Sequence, residues 1–234
     1  RNAPACIPSG TRGRAFFVRV DKDGQKIGDE IPVTDEFSNN WQDYKPLLAW
    51  DGTNYVVFWN DSREAEHCYE SKQNIYMAKV DTNGRKVLGD IKLEKSSTNS
   101  NLYSVVSDGS NYALTYNVGT SMFAKMDTSG NTLTSDIPVN TTGFSGSPRI
   151  AWDGTNYIVT WFDNRDRTAE EFYNNEIYYT KLDNDGNKLD PETRITFQKD
   201  PSMDNTQMVF LKGSMGVAWL DLRDSSPQIY FAKN

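Results

Sequence analysis

Ala49-Trp50-Asp51-Gly52-Thr53-Asn54-Tyr55-Val56-Val57-Phe58-Trp59 returns almost letter for letter as Ala151-Trp152-Asp153-Gly154-Thr155-Asn156-Tyr157-Ile158-Val159-Thr160-Trp161. A weaker copy is Val106-Ser107-Asp108-Gly109-Ser110-Asn111-Tyr112-Ala113-Leu114-Thr115-Tyr116, and a decayed one runs from Phe210 to Trp219. Asp51, Asp108, Asp153 and Lys212, which hold the same place in the four copies, are 57, 45 and 59 positions apart. Self-similarity at such a period describes one supersecondary unit that cannot bury its apolar face alone and stacks on copies of itself.

A second phrase follows the first. Asn74-Ile75-Tyr76-Met77-Ala78-Lys79-Val80-Asp81-Thr82-Asn83-Gly84 matches stretches beginning at Ser121 and Glu176. Each leads into a short alternating run: Asp90-Ile91-Lys92-Leu93, Asp136-Ile137-Pro138-Val139 and Thr193-Arg194-Ile195-Thr196. Short β-branched and aromatic segments punctuated by Asp-Gly, Asn-Gly and Ser-Gly are the grammar of strands and hairpins. No window holds apolar residues at helical spacing for three turns, so almost no helix is expected.

Each unit thus reads as four antiparallel strands, A to D, with a tight Asp-Gly turn between A and B and an Asp-x-x-Gly turn between C and D. The variable part is the B–C connection. It is 16 positions from Trp59 to Ile75 and again from Trp161 to Ile177, but 5 from Tyr116 to Ser121 and 10 from Trp219 to Ile229. Four-stranded units of about 50 residues are β-propeller blades. The expected fold is an all-β, four-bladed β-propeller occupying residues 14–234 as one domain, after an N-terminal tail over 1–13. Its blades are expected at 46–94, 102–140, 148–196 and 206–234. A fifth C-type strand, Ala15-Phe16-Phe17-Val18-Arg19-Val20, and a D-like Glu30-Ile31-Pro32-Val33 are expected to close the ring as strands within 14–34. The chain ends on a C strand, Ile229 to Lys233, which the N-terminal D strand is expected to complete.

The net charge of −7 and a pI near 4.8 argue against binding nucleic acid or anionic membranes, because acidic surfaces repel phosphates. No apolar run approaches the ~18 residues that would insert in a bilayer. Two cysteines, Cys6 in the tail and Cys68 in the first B–C loop, lack metal-site spacing and are read as a disulfide, which implies an oxidising compartment. The chain is therefore expected to be periplasmic, surface-attached or secreted.

Strand B ends in Trp59-Asn60-Asp61-Ser62-Arg63, Trp161-Phe162-Asp163-Asn164-Arg165 and Trp219-Leu220-Asp221-Leu222-Arg223, while the second unit reads Tyr116-Asn117-Val118-Gly119-Thr120. From residue 14 onward the chain resembles a class of bacterial exported β-propeller repeats with the pattern Asp-Gly-x-x-Tyr, Trp-x-Asp-x-Arg, Ile-Tyr, Asp-x-x-Gly. The resemblance implies a fold and transfers no catalytic residue. Asp and Arg two apart on a strand share a face, and a bidentate pair would tie the blade together. The alternative has Arg63, Arg165 and Arg223 converging on one rim to clamp a ligand carboxylate, as in sialidase-like propellers. The Asp21-Lys22-Asp23-Gly24, Asp81-Thr82-Asn83-Gly84 and Asp183-Asn184-Asp185-Gly186 turns echo calcium loops but lack the closing Glu. They are read as hairpin turns with no cofactor, calcium being the alternative. His67 is the single histidine and is read as a solvated loop residue.

The two 16-position loops belong to opposite blades of a four-membered ring and carry Tyr69, Phe172 and Tyr173, aromatic surfaces for a sugar ring or an apolar side chain. The expected function is a non-catalytic module of an exported or cell-surface protein that binds carbohydrate or a protein partner on one rim. Its expected ligand-binding residues are Arg63, Tyr69, Arg165, Phe172, Tyr173 and Arg223. The alternatives are a glycoside hydrolase or sialidase-like enzyme and a structural spacer.

Overall fold

The computed structural model describes residues 14–35, 45–61, 63–64, 73–93, 100–168, 174–197, 204–221 and 226–233. These residues hold strands and turns and no helix. An N-terminal pair comprises β1 (Phe16–Val20) and β2 (Lys26–Pro32). The first four-stranded sheet comprises β3 (Leu47–Trp50), β4 (Tyr55–Asp61), β5 (Asn74–Val80) and β6 (Lys86–Lys92). The second comprises β7 (Asn101–Ser107), β8 (Asn111–Asn117), β9 (Ser121–Asp127) and β10 (Thr132–Pro138). The third comprises β11 (Ser145–Trp152), β12 (Tyr157–Asp163), β13 (Glu176–Leu182) and β14 (Thr193–Arg194). The last holds β15 (Asp204–Leu211), β16 (Ser214–Asp221) and β17 (Gln228–Lys233). Every sheet takes its strands in chain order, with antiparallel pairing.

The N-terminal strands depart from expectation. β2 pairs with β1 in a two-stranded sheet of its own, and the last sheet has three strands among the described residues. The local sequence explains it. Asp21 starts a tight turn, with its N–H donating to Gln25 O, that folds β2 back onto β1. One face of the pair, Ala15, Phe17, Ile31 and Val33, is then buried against Val57, Trp59, Tyr76, Ala78 and Val80 of the first four-stranded sheet.

The chain forms two compact units, Arg1–Asn101 with Thr128–Asn131, and Leu102–Asp127 with Thr132–Asn234. In the first unit, β4 and β5 turn the face bearing Trp59 and Tyr76 toward the preceding strand pair. In the second unit, the corresponding face of the third sheet (Tyr157, Val159, Trp161, Tyr178, Leu182) covers Ala113, Phe123 and Val139 of the sheet before it. The opposite face of the third sheet, through Ile158, Ile177 and Tyr179, receives Met215, Val217, Trp219, Tyr230 and Ala232 of the last sheet. Within each unit stacking therefore follows one rule: the Trp/Tyr face of a sheet packs on the opposite face of the sheet or strand pair before it. Each large side chain so buried contributes roughly 1.5–3 kcal/mol, which is why the central strands carry apolar residues on both faces.

The repeated Asp explains the repeated phrase. Asp51 Oδ1 accepts the N–H of Thr53 and of Asn54 at 2.9 and 2.6 Å, and Asp108 and Asp153 hold their turns in the same way. The following glycines take φ of +94, +92 and +100°, a region that side chains rarely adopt. The other oxygen ties sheets together. Asp108 Oδ2 accepts the Tyr157 hydroxyl of the next sheet at 2.6 Å and pairs with the buried Lys125 at 3.4 Å. Lys79 pairs with Asp51 at 3.2 Å in the first sheet. In the decayed copy the turn shrinks to Lys212-Gly213, both at positive φ, the two-residue hairpin type whose twist matches its strands.

Candidate functional site

At the end of strand B, the Trp-x-Asp-x-Arg motif folds into a compact knot. The Trp59 indole N–H donates to Asp61 Oδ2 at 3.1 Å, and Arg63 N donates to Asp61 Oδ1 at 2.8 Å. Arg63 returns its guanidinium to Asp61 Oδ2 at 2.6 Å, lies 4.5 Å over the Tyr76 ring and reaches Asp90 on β6 at 2.9 Å. The third sheet repeats it: Trp161 to Asp163 at 2.9 Å, Arg165 N to Asp163 at 2.9 Å, the guanidinium 4.4 Å over Tyr178, and Glu192 at 2.5 Å. In the last sheet the Trp219 indole donates to Asp221 at 3.2 Å and stacks on Tyr230.

The Arg63 and Arg165 guanidinium groups thus each lie between two carboxylates and an aromatic face. Two adjacent carboxylates hold both guanidiniums firmly protonated: Asp61 and Asp90 outweigh burial at Arg63, and Asp163 with Glu192 does so at Arg165. In the second sheet, where the motif is absent, Tyr116 stands in the place of Trp and its hydroxyl donates directly to Asp136. Asp136 lies on β10 where the first sheet has Asp90, so the same two strands are tied without an arginine.

Around the third knot the loops bring together a larger group. β12 ends at Asp163, β13 begins at Glu176, and β14 ends at Arg194, so these side chains meet at one end of the sheet. The Tyr178 hydroxyl donates to Asp166, and Arg194 pairs with Asp166 at 3.0 Å and with Glu176. Glu176 also accepts the Thr196 hydroxyl. Its carboxylate is fully buried, and burial pushes its pKa above the ordinary value against the pull of Thr196 and Arg194. Burial and the neighbouring Asp166 likewise raise the Tyr178 hydroxyl, keeping it a donor. Two aromatic rings border this end: Phe144, about half exposed and 6.0 Å from Phe162, and Phe197, 71% exposed beneath Arg194 at 5.0 Å.

Of the residues expected to bind ligand, Arg63 and Arg165 sit in these knots. Tyr69, Phe172, Tyr173 and Arg223, with Cys6, Cys68 and His67, lie outside the described residues. Sequence reading missed Asp90, Glu192, Asp166, Glu176 and Arg194. The signal was present in the repeat. Asp61, Arg63, Glu64, Tyr76, Lys86, Asp90 and Lys92 have counterparts 102 positions later in Asp163, Arg165, Asp166, Tyr178, Lys188, Glu192 and Arg194, with charge sign kept throughout. The first sheet builds the parallel network, Tyr76 hydroxyl to Glu64 at 3.0 Å and Lys92 to Glu64 at 2.6 Å. It differs in having Asn74 where the third has Glu176.

In the Asp-x-x-Gly turns, Oδ1 of Asp21, Asp81 and Asp183 accepts two backbone N–H groups each, at 2.8–2.9 Å. Among the described residues no group of three or more His, Cys, Asp or Glu side chains is placed to hold a metal ion.

No protein-family model and no curated protein matches the sequence. Solved structures do. An exo-1,5-alpha-L-arabinanase from a bovine ruminal metagenomic library matches with a TM-score of 0.53 at 10% identity, over 95% of this chain and 87% of that one. The GH43_1 enzyme from Xanthomonas citri, complexed with xylotriose, gives 0.50 at 11% identity over 97% and 80%. A subtype N11 neuraminidase-like protein of a flat-faced bat isolate gives 0.51 at 12% identity over 81% of this chain and 52% of its own. At these identities the likeness is one of fold, and the fold is of β-propeller type.

Proposed function

We propose that this protein is a non-catalytic carbohydrate-binding β-propeller module of an exported or cell-surface protein, and that the sugar docks at the loop end of the third sheet. The observation that carries this reading is the exposed Phe197 ring beneath Arg194, which belongs to a network with Asp166 and Tyr178; Phe144, at the same end of the sheet, is exposed as well. Sugars are held by an aromatic face against their C–H surface and fixed polar groups against their hydroxyls. Phe172 and Tyr173, from the long loop at the same end, would extend the aromatic surface, and Tyr69 would serve the first sheet likewise. The matched xylotriose-bound enzyme makes short plant-wall oligosaccharides the first ligands to try. Arg63 and Arg165 act as ties within their own sheets rather than as ligand contacts, because both already face paired carboxylates. A Cys6–Cys68 disulfide would suit an exported protein and would pin the tail to the first loop.

Calorimetric titration with arabino- and xylo-oligosaccharides tests the proposal. Binding that Phe197→Ala weakens about tenfold, the loss of one stacking contact, supports it; the absence of heat from any of these sugars rejects it. A second reading, glycoside hydrolysis, is favoured by Glu176, whose raised pKa beside Asp166 suits a general acid. Release of reducing sugar that Glu176→Gln abolishes would select it over simple binding.

A further inference from the structure

We infer that Glu176 is the positioning residue of the candidate sugar site: its carboxylate grips Arg194 and Thr196 and through them fixes the face that Phe197 offers to a ligand. The inference rests on the binding reading proposed above and names the residue that makes that site rigid. With its side chain fully buried, Glu176 meets a sugar only through what it holds.

Three backbone bonds fix how the four-stranded sheets correspond at this end. The Leu93 N–H donates to Ile75 O at 2.9 Å, the Val139 N–H to Ser121 O at 2.9 Å and the Ile195 N–H to Ile177 O at 2.7 Å. Asn74, Thr120 and Glu176, each one residue before the acceptor, therefore hold one place, and Lys92, Pro138 and Arg194 hold another. In the second sheet the tie across these strands is neutral, the Thr120 hydroxyl donating to Asn140, which corresponds to Thr196. In the first, Lys92 turns to Glu64 instead. The fold is thus served at this point by an amide or a hydroxyl. A buried ion pair rarely stabilises more than neutral groups of the same volume, so the third sheet's carboxylate and arginine are not there for stability.

What the carboxylate adds is a hold on the segment that leads to Phe197. Its Oε1 accepts the Arg194 guanidinium and its Oε2 the Thr196 hydroxyl. Thr196 Oγ1 in turn accepts the Ile177 N–H at 2.9 Å, and Arg194 Nε donates to Thr196 O at 2.5 Å. Arg194 also donates to Asp166 at 3.0 Å, so its guanidinium is anchored on three sides and held 5.0 Å over the Phe197 ring. Phe197 follows directly and keeps most of its surface open, so Arg194 and Thr196 set its orientation. Bonds to a charged group are roughly twice as strong as neutral ones. A binding face is as precise as the groups that lock its side chains, and a ring already held in place loses less entropy when a ligand stacks on it.

Glu176→Asn is the decisive variant, because the first sheet already carries Asn74 at the same place. Para-fluorophenylalanine incorporated in place of Phe197 reports the ring by fluorine NMR, with no sugar needed. Wild type is expected to give one narrow resonance, displaced by the guanidinium from that of the free amino acid. Glu176→Asn should broaden it and return it toward the free value. The same label in place of Phe144, whose N–H is tied to Asn164 at 2.9 Å, should not move, which separates lost positioning from general loosening. In calorimetric titration with xylotriose, Glu176→Asn should weaken binding about tenfold. Thr196→Val, which removes one of the two grips, repeats the test if circular dichroism shows Glu176→Asn unfolded. An unmoved signal at position 197 in the folded variant overturns the inference whether or not sugar binds, and so does undiminished affinity. A moved signal in a protein to which no sugar binds upholds the hold of Glu176 on Phe197 and rejects the carbohydrate reading instead.

Discussion

The Asp163 carboxylate receives the indole of Trp161, the amide of Arg165 and its guanidinium, while fully buried. Because a charge taken from water must be compensated locally, removing it should leave Arg165 facing Glu192 alone and the Trp161 N–H unpartnered. Asp163→Ala is accordingly expected to cost about 3–5 kcal/mol, as breaking one side of a buried pair does. Asp163→Asn keeps an acceptor for the indole or the amide and should cost less, about 1–3 kcal/mol. Urea denaturation monitored by tryptophan fluorescence measures both, and a near-neutral Asp163→Ala would remove the knot from any structural role. Spacing alone had suggested that Asp and Arg two apart on a strand would pair. What spacing could not supply was the second carboxylate, Asp90 facing Arg63 in the first sheet and Glu192 facing Arg165 in the third.

At the scale of the element, the turns carry two kinds of glycine. Gly154 has φ of +100° with open space where a side chain would stand, whereas Gly186, at φ +87°, would drive a Cβ to 2.5 Å from Ile137 and 3.0 Å from Phe123. Both positions strain an alanine by about 1–2 kcal/mol, but only Gly186→Ala should add overpacking of about 1–3 kcal/mol. Comparing the two variants by thermal unfolding isolates the second cost; equal losses would mean that the Asp-x-x-Gly turn does not seat against the preceding sheet. Strand order, turns and pairing were legible because they are written locally, in Asp-Gly phrases and alternation. The destination of the N-terminal strands was not. Their pairing edge fits either the last sheet or each other, and only the burial of Phe17 and Val33 against Trp59 and Tyr76 selects the latter. The candidate site was half legible: the long B–C connection points to the end of the third sheet where Asp166, Glu176 and Arg194 meet, while Phe144 and Phe197 sit in connections that the repeat does not constrain.

Over the whole molecule, the buried carboxylates respond to acid in opposite directions. Burial raises the Asp108 carboxyl, but the hydrogen bonds from Tyr157, Ser110 and Asn111 and the charge of Lys125 outweigh it, so its pKa lies below the ordinary 3.8. Glu192 is lowered in the same manner, with Lys188 and Arg165 overcoming burial. A carboxyl lowered on folding stabilises the protein above its unfolded value and loses that contribution as pH falls through the folded one. Glu176 is the reverse: burial raises it above 4.5, so its contribution is complete below that pH and is lost as pH rises through the folded value. Two variants should therefore diverge. The melting-temperature advantage of wild type over Asp108→Asn should be constant near neutrality and shrink below pH 3.8. Its advantage over Glu176→Gln should instead grow as pH falls from 7 toward 4.5. Parallel slopes for the two pairs would mean that Glu176 is as well solvated as an ordinary carboxylate, and the general-acid reading of the third sheet would lose its physical basis.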